Sequence, residues 1–189
     1  MSDFPFSIPR RVDIQTPPFS YIQTDDIATI SVSKWEGPDE GDEKKITQLS
    51  GLLITPTSES QKVLLQLHIF GEWAINPYHG SVSFKRIVDG VETWLDPRAE
   101  SSIGDRRPCN AMFALTIGSN NNSSPESLNT TFVDEPNTTK EVTYEVYLLH
   151  GGQTTTEPSA NYYLNRGVVD ANAEGHERGT STFSAECKG

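Results

Sequence analysis

The segment SVSFKRIVDGVETWL, residues 81–95, decides the fold class. Two runs of β-branched and aromatic residues, which favour strands, flank the dipeptide Asp89-Gly90. Asp-Gly suits the type I′ turn, because both central residues of that turn need a positive φ angle. The segment therefore predicts a β-hairpin, and with it an antiparallel sheet.

Strand-like segments continue on both sides of this hairpin. KVLLQLHIF (62–70) is apolar on both faces for most of its length, which predicts a central buried strand. ITQLSGLLITP (46–56) predicts a strand whose Gly51 suggests a bulge. Further strands are expected at 26–35, 109–118, 128–136, 140–150, 161–167 and 179–186. With about nine or ten strands and no helical period, the pattern indicates a sandwich of jelly-roll type or a barrel. We expect an all-β, antiparallel β-sandwich of jelly-roll type, a single domain over residues 21–189.

Residues 1–20 differ from the rest and predict an extended N-terminal arm. Four prolines in this stretch exclude a helix and favour an extended chain. The arm nevertheless carries apolar side chains and an arginine pair, namely Phe4, Phe6, Ile8, Phe19, Arg10 and Arg11. A solvated tail has no need of such residues, so we expect the arm to dock on its own domain or on a partner.

Charge and composition exclude several classes of protein. The 189 residues carry a net charge of −11, so the sequence has no basic footprint for DNA or RNA. No apolar run is long enough for a transmembrane helix, and the N-terminus lacks the pattern of a signal peptide. Cys109 and Cys187 have no CxxC spacing, which favours two free thiols over a zinc or redox site.

No motif of a catalytic or metal site is present. The sequence lacks the GxSxG of many serine hydrolases, and its histidines lack the HxH or HExxH spacing of metal ligands. The segment 36–45 is rich in acids that could bind Ca²⁺, but it does not match the EF-hand pattern. A solvated acidic loop is the preferred interpretation, and whether it binds an ion stays open. We predict no enzymatic activity, no cofactor and no metal.

Six aromatic residues offer a second kind of site, a platform on which sugar rings stack. They are Trp35, Trp73, Trp94, Tyr78, Tyr162 and Tyr163. Aromatic residues of β-domains more often lie in the core. Trp73 and Tyr78, in the expected loop 71–80, are the least core-like of the set and are the candidates for glycan stacking.

Three segments, in order, resemble a known family. They are GLLITPTSESQKVLLQLHIF (51–70), NTTFVDEPNTTKEVTYEVYLL (129–149) and YYLNRGVVDANAEGHERGTSTFSAE (162–186). This trio resembles the small all-β modules on the outside of tailed-phage virions, especially those of cyanophages. Such modules occur in head decoration (cement) proteins, in head fibres and at the tips of tail fibres. The resemblance covers about residues 22–187 and implies a trimeric jelly roll without catalytic residues.

A head decoration protein fits this resemblance best, because only the arm precedes the module where a fibre tip would follow a long shaft. The expected partners are a homotrimer of this chain and the major capsid protein, on the exterior of the virion head after synthesis in the host cytoplasm. Phe4, Phe6 and Ile8 would anchor the arm on the shell, while Arg10 and Arg11 would pair with its acids.

The last of the three segments crowds charged residues around glycines. We expect an ion-pair and hydrogen-bond cluster there, which fixes the loop or forms a trimer contact. Its members are Asn165, Arg166, Asp170, Glu177 and Arg178.

The alternative is a tail-fibre or fibre-tip protein that binds a receptor on the host. Its loops would then recognise a host surface glycan, with Trp73 and Tyr78 as the stacking residues.

Overall fold

The computed structural model describes residues 11–16, 19–35, 42–74, 80–99, 108–113, 125–151, 159–170 and 177–189. These ranges contain thirteen strands and two 3₁₀ turns, Thr47–Leu49 and Pro97–Ala99, and no α-helix. The strands are β1 Arg11–Thr16, β2 Phe19–Thr24, β3 Ala28–Ser33, β4 Lys44–Lys45, β5 Leu52–Ile54, β6 Lys62–Trp73, β7 Gly80–Val88, β8 Val91–Trp94, β9 Ala111–Met112, β10 Glu126–Asp134, β11 Val142–His150, β12 Ser159–Leu164 and β13 Ser181–Lys188. Within the same ranges, no helix has the length and apolarity of a membrane span.

Seven of the strands form the large sheet, in which β6 is central. One edge of β6 pairs with β10; the other pairs first with β13 and then, near its C-terminal end, with β12. Beyond these, β13 pairs with β2 and β12 pairs with β3, while β1 pairs with β2 at the sheet edge. Hence β13 and β12 lie end to end in one strand row, and β2 and β3 lie end to end in the next.

The other six strands form the small sheet. Here β11 lies between β7 on one edge and β5 and β4 on the other, and the far edge of β7 carries β8 and β9. The chain alternates between the two sheets: β3 is in the large sheet, β4 and β5 in the small, β6 in the large, β7–β9 in the small, β10 in the large and β11 in the small. The predicted antiparallel β-sandwich of jelly-roll type is confirmed.

The core lies between the two sheets and follows the two-residue period of the strands. In β6, Val63, Leu65, Leu67 and Ile69 are buried toward the small sheet, while the residues between them are half-buried or exposed. The predicted central strand is therefore confirmed, but only one of its faces lies in the core.

Two kinds of contact connect the sheets. Phe84 of β7 stacks on Phe183 of β13, with ring centroids 5.5 Å apart. Asp134 of β10 accepts hydrogen bonds from Tyr144 Oη of β11 at 2.7 Å and from Arg86 Nη1 of β7 at 2.8 Å. Since a buried carboxylate is costly unless it is paired and hydrogen-bonded, these two donors make the charge of Asp134 tolerable in the core.

The hairpin that was predicted from residues 81–95 is confirmed. β7 and β8 pair in the register Val88↔Val91 across Asp89 and Gly90. These two residues have φ angles of 50° and 79°, the positive values that a type I′ turn needs.

The single strand expected over 46–56 is replaced by two elements. A 3₁₀ turn at Thr47–Leu49 precedes the short β5, and Gly51, with φ of 87°, joins them. Ile46, Leu49 and Leu52 are all fully buried although they are three residues apart. A continuous strand would place neighbours in that series on opposite faces, so the turn lets all three enter the core.

The sandwich begins earlier than the expected boundary at residue 21. Residues 11–16 form β1, and Arg11↔Thr24 through Thr16↔Phe19 give its register with β2. This part of the arm is extended, as the prolines predicted, but it belongs to the large sheet. Residues 1–10 lie outside the described residues.

Two tyrosines make the stability of the fold depend on alkaline pH. Burial raises the pKa of Tyr144, with a further contribution from the charge of Asp134, and burial also raises the pKa of Tyr162. The contribution of these two tyrosines to folding stability is fully present below their pKa in the unfolded chain, near 10.0, and is lost as the pH rises above that value.

We therefore expect the free energy of unfolding to fall above about pH 10, by about 1.4 kcal/mol per pH unit for each of the two tyrosines. Urea unfolding followed by tryptophan fluorescence from about pH 8 to about pH 11 measures this slope. The Tyr144→Phe variant should lose its own share of the slope, about 1.4 kcal/mol per pH unit, while Tyr147, whose pKa burial also raises, contributes equally in both proteins. A free energy of unfolding that stays constant up to pH 11 would contradict the assignment.

Candidate functional site

The segment between β12 and β13 leaves the large sheet and returns to it at the same level. Asn165, directly after β12, donates its backbone N–H to Phe70 O of β6 at 2.8 Å. Gly179 then donates its N–H to Asn165 O at 3.1 Å, and β13 begins at Ser181. Residues 165–180 form this excursion loop, of which 171–176 lie outside the described residues.

Asn165 holds the base of the excursion loop. Its φ of 59° lies in the left-handed region, which asparagine tolerates better than most residues. The side-chain Nδ2 donates to Thr24 O and to Asp26 O, each at 3.0 Å. These two carbonyls lie where the neighbouring row breaks between β2 and β3. One buried side chain thus satisfies two backbone carbonyls at the break of the neighbouring strand row.

Ser181 completes the arrangement. Its hydroxyl donates to Asn165 Oδ1 at 2.6 Å and accepts the backbone N–H of Phe70 at 3.0 Å. Asn165 and Ser181 are both fully buried. The position of the excursion loop is therefore fixed by a closed set of hydrogen bonds at its base.

Arg166 lies within the loop, and the bonds of its guanidinium to described residues go to a ring, a hydroxyl and backbone carbonyls rather than to a carboxylate. Its guanidinium lies 4.5 Å from the ring centroid of Tyr163 and donates to Thr29 Oγ1 at 2.7 Å. Weaker bonds run to the carbonyls of Gly167 and Val168 at 3.3 and 3.4 Å. Arg166 ties the first turn of the loop to β3 and β12, which are elements of the same subunit.

Arg178 and Asp170 form the charged pair of the loop. Arg178 Nη2 contacts both carboxylate oxygens of Asp170 at 2.8 Å, and Nε contacts Oδ1 at 3.1 Å. The Arg178 side chain is 60% exposed and that of Asp170 is 28% exposed. Glu177 is exposed beside them. The structure thus brings Arg178 and Asp170 together at the surface, where a pair contributes little to stability.

The described residues at the two ends of the loop lie against the outer face of the large sheet. Val168 donates its N–H to Glu72 Oε2 at 2.7 Å, and Glu72 is only 4% exposed. A Cβ atom built on Gly179 would come within 2.3 Å of the Phe70 ring, so glycine is needed for this close approach. The loop therefore covers Glu72 and Phe70 at one end of the sheet.

The proposed stacking role of Trp73 is wrong. β6 extends through Trp73, so the two-residue period directs this side chain into the core, where it is 2% exposed. It lies against Tyr162, Phe113 and His150, with ring centroids 5.2, 5.9 and 6.1 Å away. Tyr78, the other candidate, lies outside the described residues.

The wider aromatic platform is also absent from the described surface. Tyr162 is fully buried, and the Tyr163 ring is occupied by Arg166. The ring centroid of Trp94 lies 3.6 Å from the guanidinium carbon of Arg98 and 4.3 Å from Lys85 Nζ. These rings pack against other side chains of the protein itself.

The described end of the acidic segment 36–45 contributes to an ion-pair cluster. Glu43 binds Arg98 Nη1 at 2.5 Å, while Asp96 binds Arg98 Nε and Nη2 at 2.8 Å each. The side chains of the three residues are at most 10% exposed. The carboxylate of Glu43 is thus paired with a cationic side chain of the protein itself. The rest of the acidic segment, residues 36–41, lies outside the described residues.

The proposed shell anchors of the arm are mostly outside the described part of the chain. This applies to Phe4, Phe6, Ile8 and Arg10, whereas Arg11 is the first residue of β1. Their contacts with a shell stay a prediction.

A feature that the sequence analysis missed lies on the outer face of the large sheet. It is a polar groove of about 420 Å³, lined by Gln66, Leu67, His68, Asn129, Thr130, Thr131, Thr182 and Ser184. Its only signal in the sequence is the alternation of uncharged polar residues in three strands. Such alternation is typical of any strand with one solvated face, so it did not single out a site.

Several solved structures resemble this chain distantly, and two of them come from infectious bursal disease virus. One is a structure of infectious bursal disease virus, Gt strain, with 12% identity and a TM-score of 0.37 over 95% of this chain and 42% of the matched chain. The other is the VP2 subviral particle of infectious bursal disease virus, with 11% identity and a TM-score of 0.40 over 90% of this chain and 37% of the matched chain. This chain therefore spans about two fifths of each matched chain. At these TM-scores the likeness assigns neither a family nor a function.

No family model matches the sequence. No curated protein matches it either.

The Asn165→Ala substitution tests the anchor at the base of the loop. It leaves the carbonyls of Thr24 and Asp26 and the hydroxyl of Ser181 without their partner, and it places alanine in the left-handed region. At about 1–3 kcal/mol for each of these three orphaned groups, we expect the free energy of unfolding to fall by about 3–9 kcal/mol. Chemical unfolding measures this loss.

Asn137→Ala is the matched control, because Asn137 has a similar φ of 51° but is exposed in a turn after β10. It should cost only about 1 kcal/mol, the strain of the left-handed conformation. Equal losses in the two variants would show that the hydrogen bonds of Asn165 contribute nothing.

Proposed function

We propose that this chain is a structural protein of the virion exterior, a head decoration protein that assembles as a homotrimer on the capsid surface and stabilises the shell. One observation supports this above the others. The residues that carry the resemblance in the segment 162–186 hold the fold: Asn165 and Ser181 fix the base of the excursion loop, and Arg178 pairs with Asp170. A motif used in this way fits a structural module.

The surface around the loop has the composition that a contact between subunits requires. Ile27 and Val169 are each 42% exposed, near the end of the large sheet where Asn165 binds the carbonyl of Asp26. The exposed Arg178–Asp170 pair lies directly beside Val169 in the sequence. An apolar centre with a polar rim is the usual anatomy of a protein interface. We assign the trimer contact to this loop patch, made of Ile27, Val169, Asp170 and Arg178.

Trimerisation gives a decoration protein the strength that a single sandwich lacks. A stable interface buries on the order of 1,600 Å², and one subunit on a shell can fall short of this area. Three arms that engage together raise the avidity by roughly 10²–10⁴. A threefold assembly also matches the threefold and quasi-threefold positions of a shell. The arm residues Phe4, Phe6 and Ile8 would supply the apolar anchors, and Arg10 and Arg11 the charged ones.

Two measurements test the role. Densitometry of purified particles should find this chain in numbers comparable to the major capsid protein, whereas a tail-fibre tip would be present in only a few copies. Deletion of residues 2–10, which ends before β1, should abolish binding to empty capsids and leave a folded trimer. Normal capsid binding by the deletion variant would refute the role of the arm.

Arg178→Ala tests the loop patch as the trimer contact. Because the Arg178–Asp170 pair is exposed in the subunit, the melting temperature of the isolated subunit should change by less than about 2 °C. The dissociation constant of the trimer should rise about tenfold or more, because an interface removes this arginine from water. Light scattering across a dilution series measures it.

Lys140→Ala is the matched control, since Lys140 and Asp89 form an exposed pair at the β7–β8 turn, away from the loop patch. It should leave the trimer unchanged. Equal trimer dissociation constants for Arg178→Ala and the wild-type chain would place the contact elsewhere.

A further inference from the structure

The polar groove is built as a regular grid on three neighbouring strands. The strand register places Asn129 beside His68 and His68 beside Thr182, which gives one row across β10, β6 and β13. A second row is formed in the same way by Thr131, Gln66 and Ser184. Neighbouring strands lie about 4.8 Å apart, and residues two apart on one strand are separated by about 6.8 Å. Six polar side chains therefore cover an area of about 10 by 7 Å.

Among the described residues, no side chain that lines the groove is an acid, a lysine or an arginine. This is unusual in a chain in which 22% of the residues are charged and whose net charge is −11. Amides, hydroxyls and one imidazole supply both donors and acceptors without a fixed charge. Such a set suits a neutral ligand rich in hydroxyl groups, and the negative charge of the protein disfavours an anionic one.

His68 and Asn129 are already oriented relative to each other. His68 Nδ1 lies 2.8 Å from Asn129 Oδ1, so with the amide oxygen as acceptor Nδ1 carries the proton. In a neutral imidazole, Nε2 is then an acceptor, while the amide of Asn129 keeps its two N–H groups as donors. An acceptor beside a pair of donors is the complement of two adjacent hydroxyl groups.

Aromatic rings border the groove on the next strand. Tyr21 of β2 is the register neighbour of Ser184, and its ring stacks on that of Phe19 with centroids 6.3 Å apart. Phe19 is 38% exposed, so part of its ring faces solvent. The apolar C–H face of a sugar ring packs on such a ring while its hydroxyls reach polar neighbours.

We propose that the polar groove binds a neutral oligosaccharide of two or three sugar rings. The volume of about 420 Å³ lies in the range of about 300–1,000 Å³ that small-molecule sites occupy. Rows of hydroxyl and amide groups bind the ring hydroxyls, and Phe19 and Tyr21 flank the end of the chain of sugars. The site stands on the large sheet and is separate from the loop patch, so it does not rest on the proposed role in decoration.

The groove is open and uncharged, so a single site should bind weakly, with a Kd of about 1 mM. Saturation-transfer NMR and ¹H–¹⁵N correlation spectra on the full-length chain detect such binding. The probes are the neutral trisaccharides cellotriose, mannotriose and chitotriose, with sialyllactose as the acidic comparison. We expect at least one neutral probe to bind and to shift the amide signals of residues 66–68, 129–131 and 182–184.

Two variants test the site in different ways. The double substitution Gln66→Ala with Asn129→Ala removes amides from both rows and should weaken binding about tenfold or more. Ser184→Trp keeps those amides but fills the groove and should abolish binding. Asn161→Ala is the matched control, because Asn161 has the same side chain on β12 of the same sheet and does not line the groove. It should leave the Kd unchanged.

Four outcomes overturn the proposal. The first is that no neutral probe binds up to about 10 mM, some tenfold above the expected Kd, and the second is that sialyllactose alone binds. The third is that the wild-type chain and the double variant bind equally well. The fourth is that the Ser184→Trp variant changes its oligomeric state while the wild-type chain binds no saccharide. The last outcome would assign the groove to a second copy of this chain. Circular dichroism and melting temperatures of the variants confirm that each remains folded.

Discussion

The large sheet depends on how its backbone groups are satisfied where two neighbouring strand rows break at one level. β12 stops before β13 begins, and β2 stops before β3 begins, so carbonyl and amide groups in both rows lose their regular partners. A buried backbone group without a partner costs about as much as a lost hydrogen bond. Asn165 removes this cost at both breaks, because its side chain reaches Thr24 and Asp26 while its backbone continues the pairing with Phe70. The excursion loop can therefore leave the sheet without opening it.

The consequence for function is a division of the molecule into surfaces with different chemistry. On the small-sheet side, Arg98 and its carboxylate partners are held against Trp94. Ser81 and Ser83 of β7 are fully buried on the side of this sheet that faces away from the core. The outer face of the large sheet instead carries the open, uncharged groove. The excursion loop lies beside the Phe70–Glu72 end of β6 and the groove beside residues 66–68, so the two occupy different parts of the same face of the large sheet.

Local patterns were enough to predict the fold class and several elements. Asp89-Gly90 fixed the hairpin because the turn type depends on two residues alone, and the apolar run at 62–70 identified the central strand. The same reasoning failed where burial depends on distant parts of the chain. The sequence pattern predicts a loop over 71–80 that includes Trp73, yet β6 continues through Trp73, whose ring packs in an aromatic cluster with Phe113 and Tyr162. The 3₁₀ turn at Thr47–Leu49 likewise follows from packing across the core, which a single segment does not reveal.

The candidate site shows the same limit more sharply, and the reason is the register. Asn165, Asp170 and Arg178 stand out because they are charged or polar residues among glycines in one segment, so a cluster was predictable. The partners of Asn165, however, are carbonyls about 140 residues earlier in the chain, and only the pairing of β13 with β2 brings them near. The groove is still harder to predict from the sequence, because Asn129, His68 and Thr182 come from three different strands. A shift of the strand register by one residue would turn these side chains to the other face of the sheet. The geometry of such a site is fixed only as firmly as the strand pairing that aligns its residues. The anchor at Asn165 and Ser181, which fixes where β13 starts against β6, is thus also what holds the third strand of the groove in place.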